Sequence, residues 1–98
     1  MNINNEKILI VDDDPHVINR IVDILSENNP DHIFFQANNG EVGYKIAINK
    51  LPDIIITDWD MPELNGIEYI KKLKENPKTK DIPVIMATAV MITSEDLK

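Results

Sequence analysis

The chain has 98 residues, 43% of them apolar and 28% charged, and no cysteine. This bounds it to one globular domain at most and excludes disulfides and thiolate metal sites. A formal net charge of −7 argues against direct binding to nucleic acid or to an anionic membrane.

No apolar run approaches a membrane span, and Met1-Asn2-Ile3-Asn4-Asn5-Glu6 lacks the charged and apolar regions of a signal peptide. The expectation is a cytoplasmic single domain over residues 1–98, with residues 1–6 as an N-terminal tail. Lys7-Ile8-Leu9-Ile10-Val11 is short, continuously apolar and branched, which is how a strand buried on both faces of a parallel sheet reads. It ends in Asp12-Asp13-Asp14-Pro15. Asp14 can cap a helix with Pro15 at its first position. Val17, Ile18, Ile21, Val22, Ile24 and Leu25 then recur at helical spacing until Asn28-Asn29-Pro30 stops the run.

Ile33-Phe34-Phe35-Gln36-Ala37 predicts a second strand, and Asn38-Asn39-Gly40 turns the chain. A helix is expected over Glu41 to Lys50 with Val42, Ile46 and Ala47 as its apolar stripe, although Gly43 weakens it. Ile54-Ile55-Ile56 is another buried run, preceded by Pro52 and followed by Asp58 and a loop containing Pro62 and Gly66. Ile67, Ile70 and Leu73 predict one face of a third helix that ends at Asn76-Pro77. Glu68–Lys72 and Lys71–Glu75 are spaced four apart on its wet side. Ile82 to Ala87 reads as a fourth strand with Pro83 tolerated at its start, and Thr88 closes it. Thr93-Ser94-Glu95-Asp96 is a capping-box signature just before the last residues. Strands alternating with helices in this way predict right-handed crossovers and an open parallel sheet covered on both faces.

Three strands therefore end in reactive groups on one rim: Asp12 and Asp13, then Asp58, then Thr88. Open α/β sheets bind their ligands just outside the carboxyl ends of the strands. Carboxylates about 4 Å apart repel by roughly 4 kcal/mol at an effective dielectric of 20, so such a cluster holds either a proton or a cation. With oxygen ligands alone, the natural occupant is Mg²⁺ (or Mn²⁺). A carboxylate beside that ion and not wholly used by it can act as nucleophile toward a phosphoryl group. The hydroxyl of Thr88 can bond a phosphoryl oxygen, and Ala89 and Gly66 leave room for the group to enter.

With these residues in place, the chain resembles the receiver domain of bacterial two-component response regulators from Lys7 onward. Ile10-Val11-Asp12-Asp13-Asp14-Pro15 looks like the family's acidic pair, with Asp12 and Asp13 as the metal acids. Asp58 matches the phospho-accepting aspartate, Met61-Pro62 and Gly66 match the loop after it, and the backbone carbonyl of Asp60 falls where the family supplies a metal ligand. Thr88-Ala89 resembles the switch hydroxyl and its small neighbour, so Asp58 and Thr88 are the expected catalytic positions. The resemblance implies a flavodoxin-like fold with strand order 2-1-3-4-5. It also implies a sensor histidine kinase or phosphotransfer protein as donor, and an output domain or target protein as recipient. The family's fifth strand, its Lys-Pro and its fifth helix have no counterpart in these residues, and Lys98 does not match that lysine. The expectation is a truncated domain whose fourth strand is an open apolar edge, prone to pair in an intertwined or edge-paired oligomer.

Such a module is a signalling switch with self-catalysed turnover, not an enzyme in the usual sense. Two rivals remain. Asp58-Trp59-Asp60 fits the Asp-x-Asp nucleophile motif of haloacid-dehalogenase phosphatases, but the acidic pair precedes it where that family places its second pair later. A phosphate-independent protein-binding receiver is the other. His16 and His32 lack paired spacing for a metal. Trp59 reads as a partly exposed rim residue, Tyr44 and Tyr69 read as packing residues, and Lys71, Lys72 and Lys74 read as a solvated helix face.

Overall fold

A computed structural model describes residues 6–58 and 65–86. Within them the order is β1 (Lys7–Val11), α1 (Pro15–Asn28), β2 (Ile33–Ala37), α2 (Gly40–Lys50), β3 (Ile54–Thr57), α3 (Gly66–Glu75) and β4 (Val84–Met86). All pairings are parallel, and the strands stand in the order β2-β1-β3-β4. This is the expected open α/β sheet of flavodoxin-like type. Ala87, the expected helix at Thr93 and everything between them lie outside the described residues, as do Trp59, Asp60, Met61 and Pro62.

The continuous apolar runs feed both faces of the sheet, as a strand alternation of two requires. Leu9, Val11 and Ile55 point to one side and form a core with Ala37, Ala47, Tyr69 and Leu73, under α2 and α3. Ile8 and Ile10 point to the other and pack with Ile18 of α1, joined by the partly buried Ile21, Val22, Leu25, Phe34, Ile54 and Ile56. Each helix begins at a side-chain cap. Asp14 accepts the His16 N–H ahead of Pro15, Asn39 accepts the Val42 N–H, and Asn65 with Glu68 forms a reciprocal capping box.

Several expected details are corrected. On α2 the buried face is Gly40, Gly43 and Ala47, and Val42 is exposed. On α3 it is Gly66, Tyr69 and Leu73, and Ile67 is exposed. Ile24 of α1 is also exposed. The cause is common to all three: neighbouring aliphatic residues on a helix span more arc than the buried stripe, and only contact with the sheet decides which side is covered. β4 begins at Val84 and not at Ile82, because Ile82 is held in the preceding turn by its N–H to the carbonyl of Thr79.

Candidate functional site

The sheet brings the ends of β1 and β3 side by side. Val11 is in register with Thr57, and one residue further the Asp58 N–H donates to the Val11 carbonyl at 2.8 Å. The Asp12 N–H donates in the other direction, to the Ala37 carbonyl of β2 at 3.0 Å. Asp12 and Asp58 are thus fixed by backbone bonds on the carboxyl rim. Thr57, almost fully buried below them, turns its hydroxyl to the Asp58 carbonyl at 3.2 Å.

Asp12, Asp13 and Asp58 each offer a carboxylate oxygen, and these oxygens lie within 4.8 Å of one another. Their exposures differ in a useful way. Asp12 is buried, Asp58 half-buried and Asp13 exposed. One oxygen of Asp12 accepts the Asp14 N–H at 2.8 Å, which closes the turn into α1 and orients the carboxylate. Burial raises the Asp12 pKa from the usual 3.8 to about 6. The negative neighbours Asp58, Asp13 and Asp14 add to the rise, and the backbone bond from Asp14 opposes it.

A desolvated carboxylate facing two others is electrostatically incomplete without a proton or a cation. Three oxygen donors with no nitrogen or sulfur suit a hard divalent ion that keeps part of its water shell. The donor set therefore fits the metal expected from the sequence. Asp60, Thr88 and Ala89, the remaining expected site residues, lie outside the described residues. His16 is exposed and His32 lies just before β2, and neither belongs to the acidic group.

One contributor was missed from sequence. Gly43 faces the core under this rim: a Cβ there would lie 2.9 Å from both the Tyr69 hydroxyl and Val11 Cγ2. Its signal was the glycine inside an otherwise helical run, which marks close approach as well as helix weakness. The capping box of Asn65 and Glu68 was missed as well, and its signal was Asn-x-x-Glu ahead of an apolar stripe.

The parallel sheet order and the acidic rim define a module of the receiver type, and comparison with known proteins agrees. Residues 8–96 match the model of the response regulator receiver domain, and the chain belongs to that family. It is similar to the chemotaxis protein CheY1 of Helicobacter pylori, 34% identical over 82 residues that cover 84% of this chain and 66% of the relative. It is 38% identical over 87 residues to the phosphate regulon transcriptional regulatory protein PhoB of Escherichia coli, covering 85% of this chain and 35% of PhoB. The chain thus spans a little under two-thirds of CheY1 and about a third of PhoB. Among solved structures, the N-terminal domain of a response regulator receiver protein from Methanoculleus marisnigri superposes with a TM-score of 0.80 at 32% identity. That match covers 92% of this chain and 72% of the other. Membership in this family sets aside the haloacid-dehalogenase reading of Asp58-Trp59-Asp60. Among the described residues, no helix is long and apolar enough to cross a membrane.

Proposed function

We propose that this chain is a cytoplasmic response-regulator receiver that accepts a phosphoryl group on Asp58. The observation that carries the reading is the convergence of Asp12, Asp13 and Asp58 to within 4.8 Å at the ends of two adjacent strands. In the reaction, an oxygen of the Asp58 carboxylate attacks phosphorus on a phosphohistidine of a sensor kinase or phosphotransfer protein. The O–P bond forms, the N–P bond breaks, and the departing imidazole nitrogen takes up a proton. Asp12, Asp13, Asp58 and the Asp60 carbonyl would hold Mg²⁺ (or Mn²⁺), which when bound neutralises charge on the phosphoryl oxygens. Asp12, buried and held by the Asp14 N–H, orients the group, while exposed Asp13 is open to solvent. Thr88, with Ala89 beside it, is assigned the switch hydroxyl that binds a phosphoryl oxygen. An output domain or a separate target protein reads the result.

Incubation with acetyl phosphate and Mg²⁺, followed by intact-mass measurement, tests this. A gain of one phosphoryl group that is stable in acid, labile in base and absent from Asp58→Asn is expected. Thr88→Ala should still label but respond less in conformation. Equal labelling of Asp58→Asn would assign the acceptor elsewhere. An unlabelled wild type under these conditions would favour a receiver that works through protein contacts alone.

A further inference from the structure

Half of the chain's ten cationic residues fall in one ten-residue stretch: Lys71, Lys72, Lys74, Lys78 and Lys80, with Glu75 as the sole acid among them. All five lysines are exposed. They lie on the second half of α3 and on the loop that leads to β4. Since β4 starts at Val84 and runs parallel to its neighbours, this loop stands at the amino end of the sheet. Asp12, Asp13 and Asp58 occupy the opposite, carboxyl end, and the loop itself carries one acid, the exposed Asp81. Strands of four and five residues put roughly 15 Å between the two ends at about 3.3 Å per residue.

The loop is built to hold its shape. Thr79 is fully buried, and its hydroxyl donates to the Leu73 carbonyl at 2.6 Å. Asn76 donates to the Tyr44 hydroxyl at 3.0 Å and accepts the Lys78 N–H at 2.9 Å. Lys74 Nζ reaches back to the carbonyls of Lys80 and Ile82 at 3.0 and 3.3 Å, and Lys72 Nζ sits 4.5 Å from the centre of the Tyr44 ring. Two lysines thus brace the surface. Among the described residues, Lys71, Lys78 and Lys80 direct no ammonium to a protein partner. Solubility does not require them, because the chain already carries a charge of −7.

We propose that this lysine surface of α3 and the α3–β4 loop docks a carboxylate-rich segment of a partner protein. A charge separation of roughly 15 Å exceeds the screening length of about 8 Å at physiological salt, so the surface attracts anions locally despite the acidic whole. A short acidic segment stays within that local field. An extended nucleic acid runs past it into the acidic remainder and is repelled. The surface is also remote from Asp12, Asp13 and Asp58, so a partner here and a phosphoryl donor at Asp58 are held at the same time.

Fluorescence anisotropy with a labelled oligoglutamate peptide, at low and at moderate salt, tests this on the intact chain. Saturable binding is expected at low salt, weakening by about tenfold or more as screening rises. The combined variant Lys71→Ser, Lys78→Ser, Lys80→Ser should lose most of the binding with an unchanged unfolding midpoint, since those ammonium groups brace nothing. The control pair Arg20→Ser, Lys45→Ser should bind as the wild type does. Loss of binding in the control as large as in the triple variant would overturn the proposal, as would absence of saturable binding at low salt. Tighter binding of a single-stranded oligonucleotide than of oligoglutamate would overturn it in favour of a nucleic-acid surface. Salt-sensitive self-association in sedimentation, lost in the triple variant, would overturn it in favour of a second copy's acidic rim. None of these outcomes depends on phosphorylation of Asp58.

Discussion

The Tyr69 hydroxyl stands 2.9 Å from where a Cβ on Gly43 would lie, which locks α2, α3 and the end of β1 into one contact with Val11 on the third side. The hydroxyl is fully buried and has no hydrogen-bond partner among the described residues, and burial alone pushes its pKa up. This contact sits one residue before Asp12, so its packing bears on where the acidic rim is held.

Gly43→Ala is therefore expected to destabilise the fold by about 1–3 kcal/mol, even though alanine is the better helix former by about 1 kcal/mol. Tyr69→Phe removes a buried polar atom that gains nothing, and should be neutral or stabilising by about 1 kcal/mol. In the double variant, Tyr69→Phe should recover part of the Gly43→Ala loss, because the hydroxyl contact at 2.9 Å disappears while Val11 Cγ2 at 2.9 Å and the ring carbon Cζ at 3.2 Å remain. Urea unfolding of the four proteins measures the coupling directly. Strict additivity would show that the hydroxyl is not the atom that resists the methyl group.

Asp12 gives the pH dependence. Its folded pKa of about 6 lies above its ordinary value of 3.8, so between those limits the native state holds more protons than the unfolded state. Without metal, the contribution of this group to stability is greatest below about pH 4. It is lost as pH rises through 6, by an order of 1–3 kcal/mol. Asp12→Asn should raise metal-free stability at neutral pH and flatten the profile between pH 4 and 6. Millimolar Mg²⁺ should restore the wild type at neutral pH and have little effect on Asp12→Asn. Thermal midpoints across pH, with and without the ion, decide the matter, and Trp59 beside Asp58 supplies a fluorescence signal for the same titration. A wild type as indifferent to Mg²⁺ as the variant would remove the metal site as assigned.

Among the described residues β4 is the outer strand, and Ile85 on it is 49% exposed. An exposed apolar edge invites pairing with another chain. Sedimentation of the 98-residue chain is expected to report concentration-dependent association that Ile85→Lys weakens. A cooperative monomer with unchanged behaviour in the variant would show that the edge is otherwise protected.

Much of this was legible without coordinates because it rests on short-range patterns. Lys7 to Val11 and Ile54 to Ile56 are short, branched apolar runs of the kind a doubly covered strand accommodates. Asp14-Pro15 is a helix-start signal, and parallel crossovers then place Asp12, Asp13 and Asp58 on one rim. The tertiary structure decided what depends on contact between distant elements. It chose Tyr69 over Ile67, and Gly43 over Val42, as the buried faces of their helices, because a glycine in α2 lets the tyrosine ring of α3 approach β1. It made Asp12, and not its neighbour Asp13, the desolvated acid, because the Asp12 N–H is tied to β2 and its carboxylate to the Asp14 N–H while Asp13 turns outward. It also gathered the lysines of α3 and its following loop at the end of the sheet opposite Asp12, Asp13 and Asp58. Sequence fixes which residues follow which strand, but burial and separation are properties of the packed sheet, and physics assigns them only once the strands are side by side.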